Sequence, residues 1–227
     1  MWLGPLRTQR EEILDQLVDG PRATQILADL DRWNQRTGWF RAHVRRVHAH
    51  WRALGEPRPF RVLDVGTGHG GLLDALATRG EQEGIPLELS GVDLHPAYVE
   101  MARRRLGGRA TVFQGDATAL DAPDQRWDLA TCALMMHHLP YPVREALVAE
   151  LRRTCRGVYL FDLECTWHGW AGASLAMWLA GLGADARADG ILSIRRGATF
   201  AEFKALVAPL PVRAVRVFPT SLATLPA

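Results

Sequence analysis

Between residues 60 and 163 the chain alternates short continuous apolar runs with longer amphipathic stretches. The runs Phe60 to Val65, Leu87 to Val92, Ala110 to Phe113, Trp127 to Leu134 and Gly157 to Leu163 predict strands. Gly70 to Thr78, Pro96 to Leu106 and Val143 to Thr154 carry apolar residues at helical spacing. Strands that are apolar throughout, each followed by a helix, imply βαβ units and a parallel sheet covered on both faces. The pattern therefore predicts an α/β, doubly wound fold.

In front of this region, residues 9–55 read as helix. Ile13, Leu14, Leu17 and Val18 form one apolar stripe, Ile26, Leu27, Leu30 and Trp33 a second, and Phe40, Val44, Val47, Trp51 and Leu54 a third. Glu56-Pro57-Arg58-Pro59 ends the last helix. Its polar side holds Arg41, Arg45, His48 and Arg52, read as a solvated face, with an RNA-binding stripe as the alternative. His43, His48 and His50 are expected at the surface. Behind the sheet region, residues 166–186 are apolar, tryptophan-rich and read as helix. ILSIRRGATFAEFKALVAPL suggests a short extended piece, then a helix capped by Thr199 with Glu202 three residues on. VRAVRVF alternates like a late antiparallel edge strand. The division expected is an N-terminal helical cap, 1–56, forming one structural unit with a domain over 57–227.

Composition narrows the class. The 227 residues suffice for one well-buried domain, and a net charge of +2 gives no push toward nucleic acid. Three cysteines without a CxxC pair suggest neither a disulfide frame nor a zinc site, so a cytoplasmic location is expected. MWLGPLRTQREE meets charge before any apolar stretch, unlike a secretory signal. The apolar segment over 170–184 is shorter than the roughly 20 residues that span a bilayer.

The candidate chemistry begins at VLDVGTGHGGLL, residues 62–73. Gly66, Gly68 and Gly71 fit the GxGxxG of dinucleotide loops, while Asp64, Gly66, Gly68 and Gly70 fit DxGxGxG. Either way, a tight turn after the first strand lets a ligand approach backbone and helix amides. The surrounding acids discriminate. Asp64, at the end of the first strand, repels a diphosphate and attracts an amino group. Asp93 ends the second strand, where a carboxylate accepts from both hydroxyls of a ribose. Asp116 follows the third and can accept from an adenine amino group. A ligand with an amino group, a ribose and an adenine but no phosphates is S-adenosylmethionine.

With these features together, residues 58–165 resemble the class I S-adenosylmethionine-dependent methyltransferases. VLDVGTGHGG is similar to that family's glycine motif, GVDLHPAYVEMAR to its ribose loop and FQGDATAL to its adenine-side loop. WDLATCALMMHHLP resembles the fourth strand and following loop of the ubiquinone-biosynthesis-like branch. The resemblance implies a Rossmann-like, seven-stranded sheet with a reversed last strand. It implies cofactor contacts at Asp64, Gly66, Thr67, Gly68, Gly70, Asp93, Leu94, Asp116 and Ala117, with Ala133 and Leu134 near the methionine end and S-adenosylhomocysteine as product. EEILDQL and ILADLDRWNQRTGW in front, and LSIRRGATFAEFKAL behind, are similar to small bacterial methyltransferases associated with type III polyketide synthases. Those proteins carry a double glycine in place of Gly38-Trp39. They also carry an arginine- or serine-rich segment where this chain has Asp162-Leu163-Glu164-Cys165-Thr166-Trp167-His168, so the resemblance leaves the acceptor open.

Methyl transfer to a phenol gains from a base. His138, His137 and His168, which follow the fourth and fifth strands, are the candidates, each with a structural role as the alternative. Trp167, Trp170 and Trp178 belong either to the core or to a lid over an apolar acceptor. No metal is expected, since the Asp-Asn pair of magnesium-dependent catechol methyltransferases is missing. The expected partner is a small hydrophobic acceptor, phenolic or quinone-like, with no nucleic acid and a monomeric or homodimeric chain. An RNA methyltransferase, a nicotinamide-dependent reductase and a non-catalytic S-adenosylmethionine-binding protein are the alternatives.

Overall fold

A computed structural model describes residues 7–17, 20–55, 58–218 and 221–226. Val18, Glu56, Pro57 and the first six residues of the N-terminal stretch lie outside them. Seven strands form one sheet in the order β3-β2-β1-β4-β5-β7-β6. They are β1 (Phe60–Val65), β2 (Leu87–Asp93), β3 (Thr111–Gln114), β4 (Trp127–Ala133), β5 (Cys155–Leu163), β6 (Val212–Phe218) and β7 (Ser221–Pro226). β1 pairs in parallel with β2 and β4, and β2 with β3. β7 runs antiparallel to both β5 and β6, giving the reversed last strand.

The chain divides into two compact units, one of Asn34–Cys132 and Glu150–Val158, the other of Met1–Trp33, Ala133–Ala149 and Tyr159–Ala227. In the first, here the loop unit, β1 is buried along nearly its whole length, as both-face coverage requires. Val62, Leu63, Leu73, Leu76, Val92 and Leu106 make its core. Helix α3 (Trp39–Leu54) packs more of its circumference than the apolar stripe suggests: His43 and His48 are buried, correcting their expected surface placement, and His50 is half-buried. The His43 ring stacks on Trp39 at 3.9 Å and its Nδ1 meets the Trp39 carbonyl oxygen at 2.9 Å. His48 Nδ1 lies 3.0 Å from a Glu83 carboxylate oxygen. Short-range partners thus let two polar rings enter an interface. At the start of β4, Asp128 is fully buried and accepts bidentate bonds from Arg58 at 2.8 Å and a further bond from Arg61 at 3.1 Å.

The second, the histidine unit, contains α1 (Ile13–Gln16), most of α2 (Gly20–Arg36), α7 (Trp167–Leu179), α8 (Ala184–Arg196) and α9 (Phe200–Val207). Residues 166–186 are not one helix. Thr166 caps α7 through Gly169 N, and α8 restarts after Gly183. ILSIRR is helical and not extended: its β-branched residues imitate a strand, but Ile191 and Ile194 sit at helical spacing, Ile191 against the Ile26–Met177 cluster and Ile194 buried. α9 carries the expected capping box between Thr199 and Glu202. β6 is the expected edge strand. β7, SLATLP, supplies the strand that the resemblance implies and the hydrophobic pattern does not mark; its small residues and terminal proline carry little strand signal. Among the described residues no helix is long and apolar enough to cross a membrane.

Candidate active site

In the loop unit, the three acids stand at or just after the carboxyl ends of adjacent parallel strands. The register sets Asp64 beside Gly91 and Asp93 beside Gln114, with Asp116 two residues beyond β3. Gly66 N and Thr67 N both donate to the Val92 carbonyl, tying the turn to β2. Gly70, with φ +81°, sits where a Cβ would come within 3.2 Å of Ala102 Cβ, so the loop packs against helix α5 (Pro96–Leu106) only as glycine. Gly68, with φ +54°, is open: an added Cβ would meet nothing within 4 Å. Helix α4 (Gly71–Glu83) then begins with its amides behind the loop.

Asp64 is buried beneath this turn, accepting from Thr67 Oγ1 at 2.9 Å and Thr131 Oγ1 at 2.8 Å. Burial outweighs both hydroxyls and pushes its pKa up to about 6. Asp93 accepts from Gly68 N through Oδ2 at 2.8 Å and from His95 N through Oδ1 at 3.0 Å. Leu94 beside it is exposed. Asp116 is exposed, and bonds from the Thr118 amide and hydroxyl to its Oδ1 hold it below the usual carboxylate range. The open Gly68, exposed Leu94 and exposed Asp116 leave room for a ligand beside Asp93.

In the histidine unit, Ala133 and Leu134 end β4 and begin the next loop. Leu134 adopts φ +56°, unusual for a residue with a side chain, and its amide donates to the Phe161 carbonyl at 2.9 Å. A 3-10 turn, Met136–His138, follows. The structure brings His137 and His138 together, their ring centroids 4.2 Å apart, but they differ in setting. His137 is buried, its Nδ1 2.5 Å from Asp162 Oδ1 and its Nε2 3.5 Å from Glu12 Oε1. Burial alone would lower its pKa, but the charge and bond of Asp162, supported by Glu12, push it up to about 9. Asp162 is held below the carboxylate range by His137 despite its own burial. His138 keeps 28% of its side chain exposed, and its Nδ1 lies 2.7 Å from Asp15 Oδ1. Arg196 bonds Asp15 and donates to the His138 carbonyl at 3.0 Å. His168 is exposed at the start of α7, 5.8 Å from the Trp167 ring, and is not part of the paired-histidine cluster.

Glu12 and Asp15 are functional candidates that the sequence reading did not single out. The EEILD stretch looks like an ordinary charged helix start, and Asp15 meets His138 across 123 residues of chain. The tryptophans also separate from the core: Met177 is the buried residue of α7 in the Ile26 cluster, while Trp167, Trp170, Trp178, Leu175 and Leu179 are exposed.

The sheet order with its reversed strand, and the glycine loop latched to Asp93, give a Rossmann-like fold. The comparisons agree. A methyltransferase-domain family model matches residues 62–157. A demethylmenaquinone methyltransferase of Deinococcus radiodurans is 35% identical over 42% of this chain and 36% of its own length. A ubiquinone biosynthesis O-methyltransferase of Stutzerimonas stutzeri is 34% identical over 36% of this chain and 34% of its own. The matched segment is thus about a third of each relative's length. In fold, the chain is similar to magnesium protoporphyrin IX methyltransferase from Synechocystis PCC 6803, solved with bound SAH, at TM-score 0.56 and 16% identity, covering 91% of this chain and 86% of that one. An S-adenosylmethionine-dependent methyltransferase from Aquifex aeolicus gives TM-score 0.52 and 18% identity over 73% and 80% of the two chains. Residues 62–157 thus match a methyltransferase domain, and the chain has the fold of the solved S-adenosylmethionine-dependent methyltransferases.

Proposed function

We propose that the protein transfers a methyl group from S-adenosylmethionine to the oxygen of a small hydrophobic acceptor, phenolic, polyketide-like or quinone-like. The observation that carries the reading is the glycine turn tied to Asp93 between the flanking acids Asp64 and Asp116. Two relatives named for quinone-pathway compounds support the acceptor class. So do the exposed tryptophans of α7, which offer flat apolar surface to an aromatic ring.

When bound, S-adenosylmethionine supplies a methyl group on a sulfonium, which passes to the acceptor oxygen by in-line displacement. The chain's own part is alignment, charge and the proton. Asp93 holds the ribose, Asp64 sets negative charge beneath the amino end, and Asp116 stands at the adenine side. A phenol, with a pKa near 10, loses its proton as the new bond forms. His138, its Nδ1 engaged by Asp15, is the base we propose for that proton. His137, buried between Asp162 and Glu12, is a supporting group. On the basic helix face, His48 is buried and Arg52 pairs with Glu83 at 3.0 Å, while Arg41 and Arg45 stay exposed, so RNA is kept as the competing acceptor.

The test is transfer of a labelled methyl group from the cofactor to a panel of alkylphenols and hydroxyquinones, with RNA as the competing acceptor. Label in the phenol or quinone fraction is expected. Label in RNA alone would overturn the reading.

A further inference from the structure

The paired histidines hold a second arrangement that proton removal does not use in full. Glu12 Oε1, His137 Nε2 and His138 Nε2 converge, with all three atoms within 4.8 Å of one another. Glu12 Oε1 is 3.5 Å from His137 Nε2 and 4.0 Å from His138 Nε2. Ligand atoms at about 2.0–2.2 Å from one tetrahedral ion stand about 3.4 Å apart. Glu12 Oε1 and His137 Nε2 are also buried polar atoms without a hydrogen-bond partner, though both side chains are more than nine-tenths buried. Each histidine offers Nε2 because its Nδ1 is engaged by a carboxylate, Asp162 at 2.5 Å and Asp15 at 2.7 Å. Carboxylates behind both rings fix the tautomer and orientation that ligation needs.

We propose that Glu12, His137 and His138 bind a divalent transition-metal ion, with Zn²⁺ as the reference ion. Two imidazole nitrogens and one carboxylate oxygen are a donor set suited to such ions and leave at least one coordination position open. The charges agree. Glu12, Asp15, Asp162 and Asp189 bring four carboxylates; Arg196, which bonds Asp15 and lies 3.7 Å from Glu12 Oε1, and Arg144, whose charge acts on Asp162, offset two. The Arg144 guanidinium donates to the carbonyls of Leu139 and His137 and keeps its charge. A dication that displaces the His137 proton leaves both rings neutral and balances the rest. The site differs from the acid-rich magnesium site of catechol methyltransferases. Ligation would use the His138 Nε2 lone pair, so a bound ion and the proton-accepting role of that ring exclude one another.

The experiment uses the full chain, stripped with chelator and dialysed. It is titrated with Zn²⁺ by calorimetry and with Co²⁺ by visible absorption. One ion per chain and ligand-field bands of bound Co²⁺ are expected. Glu12→Gln and His138→Gln should each weaken Zn²⁺ binding at least about tenfold, and Asp15→Asn, behind the ring, about tenfold. His138 is partly exposed, so its variant guards against a Glu12 variant that misfolds; thermal melts identify the folded ones. No binding by the parent chain, or parent-strength binding by either folded ligand variant, overturns the site. S-adenosylhomocysteine titrations on the same samples separate this outcome from the methyltransferase reading, which stands if cofactor binding persists while Zn²⁺ binding fails.

Discussion

Asp93 Oδ2 accepts from the Gly68 amide at 2.8 Å, so the carboxylate assigned to the ribose is also the latch of the glycine turn. One side chain therefore presents hydrogen-bond capacity to the ligand and fixes the backbone beside it.

Replacing Asp93 should therefore cost more than one lost contact. Asp93→Ala removes charge-assisted bonds to ribose and frees the loop, and S-adenosylhomocysteine affinity should drop on the order of a hundredfold, about 3 kcal/mol. Calorimetry checks this. Unchanged affinity would remove Asp93 from the cofactor site.

Asp64 makes pH the second probe. Its folded pKa, raised by burial to about 6 against an ordinary 3.8, stabilises the cofactor-free protein most below pH 3.8 and loses that contribution as pH rises through 6. Cofactor binding should show the opposite trend. An amino group favours the carboxylate, so affinity should weaken as pH falls through about 6, approaching tenfold per pH unit. Asp64→Asn should flatten that slope. A parent slope that survives in the variant would assign the titration to another group.

At the other end of β1 and β4, Asp128 is fully buried under Arg58 and Arg61. Asp128→Asn leaves those guanidiniums without their partner and should lower stability by about 3 kcal/mol, read as a fall in the urea midpoint. Cofactor affinity in the folded protein should not change, because the residue lies at the strand starts and the ligand at the strand ends. A matching loss of affinity would show that the two ends of the sheet are coupled.

Trp178 separates packing from recognition. It is 62% exposed, so Trp178→Ser should change stability by no more than about 0.5 kcal/mol. If α7 receives the acceptor, KM for an apolar phenol should rise about tenfold, the equivalent of about 1.4 kcal/mol, with kcat little changed. Steady-state kinetics with two phenols of different chain length would check it, and an unaltered KM would take Trp178 out of acceptor binding.

The parts of the fold legible in the sequence are those whose signal is local. Phe60 to Val65 is β1 to the residue, and Pro96 to Leu106 is α5, bounded by a proline that fits a first turn and a glycine that ends it. The glycine turn and three acids could be located because each lies within two residues of the end of its strand. The failures have a different physics. Ile191 and Ile194 look extended until a partner face exists for them, and His43 looks exposed until Trp39 stacks on it. The Glu12–His137–His138 convergence was not legible, since residues far apart in sequence meet only after the fold has closed.

β7 lies inside the sheet between β5 and β6, with Leu222 and Ala223 fully buried. On a ribosome, β6 emerges before the strand that must separate it from β5. Until β7 is made, the border of β5 that it covers is unpaired and β6, which neighbours β7 in the sheet, has no strand to pair with. Association of nascent chains through those two strands is the hazard this order of strands creates, and only arrival of SLATLP removes it.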